Sequence, residues 1–66
     1  MKFTIEIFST DSDGSETLLH RTTITAINPL RARNEAQHLL AAWKKRKADS
    51  ARVLNEQGET VYRWSA

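Results

Sequence analysis

Asn28-Pro29 divides this chain into stretches of different periodicity, and only the stretch after it has helical spacing. An asparagine side chain accepts a hydrogen bond from a free first-turn amide, and a proline at N1 has its φ preset and no amide left unpaired. Ala32, Ala36, Leu39, Leu40 and Trp43 then recur at intervals of four, three, one and three, a stripe about 100° wide on a 3.6-residue helix. The opposite side carries Arg31, Asn34, Glu35, His38 and Lys45 and reads as solvated. Arg31 and Glu35 stand at the i,i+4 spacing that adds about 0.2–0.5 kcal/mol. Lys44-Lys45-Arg46-Lys47 complements the negative end of the helix dipole, and the helix is expected to end near Ala48.

The flanking stretches alternate with period two. Phe3, Ile5 and Ile7 interleave with Lys2, Thr4 and Glu6, as in a strand with one buried and one wet face. Asp11-Ser12-Asp13-Gly14-Ser15-Glu16 is a hairpin loop, with Gly14 free to take positive φ. From Thr17 to Ile27 a second strand is predicted, with Leu18, Thr22, Ile24 and Ala26 as its inward set and His20 interrupting it. Its other side, Leu19, Arg21, Thr23, Thr25 and Ile27, is mixed enough to leave a bulge or the opposite register open. Beyond the helix, Ala51–Leu54 and Thr60–Trp64 flank Asn55-Glu56-Gln57-Gly58-Glu59, which suits a type I turn closed by a positive-φ glycine. If Asn55 and Glu59 close that turn, Val53 pairs with Val61 on one face, and Arg52, Leu54, Tyr62 and Trp64 fall on the other. The expectation is an α+β domain of order β-β-α-β-β, in which one amphipathic helix covers one face of an antiparallel-rich sheet.

Sixty-six residues without cysteine supply one core and no disulfide or thiolate metal site to reinforce it. The longest apolar run, Leu39 to Trp43, is far short of the roughly 20 residues that span a bilayer, so no membrane segment is expected. Met1 to Ile7 alternates where a signal peptide would be continuously apolar, and reads as a mature N-terminus. A cytoplasmic, bacterial-type chain fits these features.

Two surfaces follow as candidates for function. With Phe3, Ile5, Ile7, Leu18, Ile24, Val53 and Val61 under the helix, the open face would expose Phe8, Leu19, Leu54, Tyr62 and Trp64, and apolar patches on small chains mark interaction sites. Leu54, Tyr62 and Trp64 are therefore expected to mediate self-association, as a homodimer formed through the open sheet face or an edge strand. In the alternative reading Tyr62 and Trp64 fold over an edge, or take the opposite register and belong to the core. The second surface is electrostatic. Residues 1–20 hold one cation against four carboxylates, residues 21–48 seven against one, and residues 49–66 two against three. Arg31, Arg33, Lys44, Lys45 and Arg46 are the phosphate contacts expected if the chain binds nucleic acid.

Other constellations are weak. Asp11, Asp13 and Glu16 lack the ligand series of a calcium loop. His20 and His38 have no zinc-like or catalytic neighbours at a matching spacing, and no glycine-rich phosphate cradle follows a strand. Tyr62 and Trp64 beside Arg52 and Arg63 suggest a base-stacking platform, but the glycine-aromatic octapeptide of the RNA-recognition fold is missing. No enzyme activity, metal or cofactor is expected.

Overall fold

The computed structural model describes residues 1–65. Strands β1 (Lys2–Thr10), β2 (Glu16–Thr25), β3 (Ser50–Leu54) and β4 (Thr60–Ser65) form one antiparallel sheet in the order β2-β1-β3-β4, with helix α1 (Pro29–Trp43) packed on it. The class and element order match the expectation from periodicity. Because β2 and β3 both run antiparallel to β1, they are parallel to each other. Parallel strands need a long crossover, and α1 supplies it by passing over β1. The helix consequently rests on β1 and β3, leaving β2 largely without a roof.

Phe3, Ile5 and Ile7 of β1 form the floor of the core, joined by Ala51 and Val53 of β3. Ala32 and Ala36 meet them from above and are fully buried, their small side chains letting the helix backbone approach the sheet. Leu39, Leu40 and Trp43 complete the predicted stripe, half-buried along the flanks.

The Asn28 carboxamide oxygen caps α1 by accepting from the Arg31 amide at 2.9 Å. At the other end the α-helix stops at Trp43 and a single 3-10 turn, Lys44–Arg46, continues it. Lys47 then takes a left-handed conformation, φ 68°. The Ala48 amide donates to the Trp43 carbonyl at 3.3 Å and the Lys47 amide to that of Lys44 at 3.1 Å, the paired bonds of a Schellman motif. Ala48, buried, packs in the core cluster beside Trp43. The basic run is thus the helix terminator.

Both hairpin loops form where expected. Gly14 has φ 88° and Gly58 φ 80°, and the Asn55 amide donates to the Glu59 carbonyl at 2.9 Å.

Each hairpin also contains an irregularity that shifts its facing. In the first, Ile7 pairs with His20 but Phe8 with Leu18, so Leu19 is the extra residue. Leu18, expected inward, lies opposite Phe8 on the face away from α1, while Leu19 packs against the core. In the second, Leu54 pairs with Thr60 but Val53 with Tyr62, and Ala51 with Trp64. Val53 does not pair with Val61. Such an extra residue lets the chain aim two consecutive side chains at one side, and both Val61 and Tyr62 pack against the core. Tyr62 and Trp64 therefore lie on the helix side, correcting the outward expectation. Leu54 keeps its outward position.

Candidate functional site

The sheet face away from α1 is polar. One cross-strand row runs over all four strands: Arg21 opposite Glu6, Glu6 opposite Arg52, and Arg52 opposite Arg63. Glu6 is only 1% exposed, although it points away from the helix, because two guanidiniums cover it. Arg21 donates from Nε and Nη2 to Oε2 at 3.0 and 2.6 Å. Arg52 donates from Nε and Nη2 to Oε1 at 2.8 and 2.5 Å. Burial works against the ionised carboxyl, but these bonds and the two positive charges outweigh it and hold its pKa below the ordinary value. Arg52 also lies over the Phe8 ring, 5.4 Å from its centroid. Glu16 reaches across the sheet to accept from Arg63 Nη2 at 2.9 Å and from the buried Ser50 hydroxyl at 3.3 Å.

On the helix side, Tyr62 and Trp64 stack with centroids 6.1 Å apart, and the Arg33 guanidinium lies 5.7 Å from the Tyr62 ring centroid. These three side chains shelter the β4 flank that α1 does not reach. The β2 flank has less cover. Between β2 and α1 runs an open groove of about 680 Å³ walled by Ile24, Ala26 and Ile27 on one side and Arg31, Glu35 and His38 on the other. A smaller hollow lined by Ile5, Thr22, Leu39 and Ala42 continues it along the helix. His20 closes the far end by stacking on Trp43, ring centroids 5.0 Å apart. At the near end Ile27 is 77% and Leu30 53% exposed.

The edge of β2 is open as well. The Ala26 amide donates to the Met1 carbonyl at 2.9 Å, so Ala26 and, by period two, Ile24, Thr22 and His20 aim their backbone groups at β1. Arg21, Thr23 and Thr25 aim theirs at the free side. From His20 to Thr25 the strand is regular, the Ala26 amide extends its ladder by one bond, and the segment has no proline or lysine. The β4 edge is protected differently: it is only six residues long and carries an irregularity and Arg63.

The residues expected to bind nucleic acid are not brought together. Arg31 faces the β2 groove and Arg33 the β4 flank. Lys44, Lys45 and Arg46 sit at the other end of a fifteen-residue helix, about 20 Å away at 1.5 Å per residue. Arg46 lies over Trp43 at 5.4 Å from the ring centroid. Of the residues expected at a protein interface, Leu54 alone is on the open face. Sequence reasoning missed the Glu6 cluster, although the hairpin register that pairs Lys2 with Thr25 also pairs Glu6 with Arg21. No helix of the described residues is long and apolar enough to cross a membrane.

No known protein family, curated protein or solved structure matches this chain.

Proposed function

We propose that this chain is a non-enzymatic interaction module that self-associates by antiparallel pairing of β2 with β2 of a second copy. The observation that carries this reading is the combination of an unprotected strand edge with an uncovered apolar strip beside it. Unpaired edges are templates for another strand, and here Ile24, Ala26 and the exposed Ile27 line the same margin.

The segment His20–Ala26, regular strand to Thr25 with the Ala26 amide as its last ladder bond, has its midpoint at Thr23. A twofold axis there places Thr23 opposite Thr23, Arg21 opposite Thr25, Thr22 opposite Ile24 and His20 opposite Ala26. Each pair shares a facing, so both helices stay on one side of a continuous eight-stranded sheet. No like charges oppose one another, and threonine pairs suit cross-strand positions. The residues brought into register as hydrogen-bonded pairs are those whose backbone groups point at the open edge.

Sedimentation at high micromolar concentration tests this directly, with a dimer expected. Thr23→Pro removes an edge amide that the monomer does not use. It should yield a folded monomer with unchanged far-UV circular dichroism. Thr23→Cys places two cysteines across the axis at a Cα separation of about 5.5 Å, within disulfide range, and the chain has no other cysteine. Mild oxidation should trap a covalent dimer. A monomer at every concentration, with no crosslink, sinks the proposal.

A further inference from the structure

We infer that the sheet face opposite α1 is a phosphate-binding surface, with Arg21, Arg52 and Arg63 in one cross-strand row fitted to the backbone of a single-stranded nucleic acid. The inference uses a different face from the β2 edge and stands independently of self-association.

Three observations carry it. First, the Glu6 carboxylate lies beneath, and the guanidiniums of Arg21 and Arg63 stand above it. The Arg21 and Arg63 side chains are 61% and 51% exposed, against 34% for Glu16 and 2% for Glu6. In this cluster of three guanidiniums and two carboxylates, solvent therefore meets mainly guanidinium. Second, the guanidiniums are held in place. Glu6 takes Nε and Nη2 of both Arg21 and Arg52, and Glu16 takes one Nη2 of Arg63. Among the described residues no Nη1 of the three has a hydrogen-bond partner. A planar fork held in advance loses little side-chain entropy when it meets a phosphate. Third, the row reaches from β2 to β4, three strand spacings or about 14 Å. That span exceeds a single phosphate and suits a ligand with repeated anions. The neighbouring row, Thr23, Thr4, Leu54 and Thr60, adds hydroxyl donors alongside.

Stability alone is a poor reason for this arrangement, because a buried ion cluster is often no better than apolar side chains of similar volume. What the cluster supplies is orientation. The Phe8 ring already holds Arg52 on one face, leaving little aromatic surface for base stacking. Recognition on this face is accordingly of backbone phosphates, tolerant of sequence and sensitive to salt.

The test is fluorescence anisotropy with a labelled oligodeoxythymidylate, titrated with the whole chain from 50 to 200 mM salt. Three phosphate contacts on a single strand give a log–log slope of about −2, so affinity should fall about fifteen-fold over that range. Arg63→Gln, at an exposed position, should weaken binding and lower the slope by about 0.7. Arg21→Gln should do the same while Arg52 still holds Glu6, with the fold of each variant checked by circular dichroism. Absence of binding at 50 mM salt overturns the inference. So does binding that survives both substitutions but is lost in Lys44→Glu/Lys45→Glu, which would place the contact at the helix end. Equal affinity for polyglutamate would show general anion attraction and overturn the assignment to phosphate.

Discussion

Glu6 serves two guanidiniums, and the two halves of that arrangement respond differently to loss. Glu6→Gln leaves Arg21 and Arg52 charged but able to turn towards water, at a cost of about 1–2 kcal/mol. Arg21→Met with Arg52→Met keeps the cover over Glu6 but removes both compensating charges, and about 3 kcal/mol or more should be lost. Urea unfolding of the two variants at neutral pH checks the order. The acid dependence follows from the lowered Glu6 pKa. The folded state gives up this proton more readily than the unfolded chain, so the stabilisation is complete above the ordinary value of 4.5 and is lost as pH falls through the lower folded value. Asp13 contributes in the same direction, because the Ser15 hydroxyl and amide stabilise its charged form. Urea midpoints should be level from neutrality down to about pH 5 and then decline. Glu6→Gln should remove part of that decline. Lys47 offers the opposite opportunity: it holds φ 68° where glycine carries no Cβ penalty. Lys47→Gly should be neutral or stabilising by up to roughly 1 kcal/mol.

The helix is the element most exposed to small changes, since it is held close to the sheet by two alanines. Ala36→Leu inserts volume where there is none and should cost about 1–3 kcal/mol. Asn28→Ala removes the cap and should cost about 1 kcal/mol. Thermal melts distinguish these if Ala36→Leu also broadens the transition. Most of α1 was legible beforehand, because Asn28-Pro29 and the Ala32-to-Trp43 stripe are local signals. Facing within the hairpins was not. Periodicity propagates outward from a turn without knowing where a residue is inserted, and Leu19 and Val61 each shift the alternation. At β4 the shift brings Tyr62 and Trp64 to the helix side, where burial of two aromatic rings outweighs the lost ladder regularity. Of the open face first drawn from Leu54, Tyr62 and Trp64, only Leu54 therefore stays outward, and the two rings follow the alternative reading of opposite register. Which edge strand is left open depends on where the helix crosses the sheet, and strand order cannot be read from local spacing. The arginine row was hidden for the same reason: Arg21, Glu6, Arg52 and Arg63 are distant in sequence and adjacent only across strands.

For the whole molecule, the two flanks of the sheet are unequal because the crossover is off-centre. One flank is roofed by Tyr62, Trp64 and Arg33, and the other is left as a groove along β2. If two copies join there, thermal unfolding becomes concentration-dependent by mass action. Melting temperatures should rise with protein concentration for the native chain and stay constant for Thr23→Pro. The central position of β1 bears also on the order of events during synthesis. It is the first strand to be made, yet its second neighbour, β3, starts only at Ser50. The first hairpin is a local pairing that closes quickly, and once formed it displays Phe3, Ile5 and Ile7 on a bare surface until the crossover has been translated. During that interval the nascent chain is at its stickiest, and the rate at which residues 29–54 leave the ribosome determines how long a half-built sheet waits beside its neighbours on the same message.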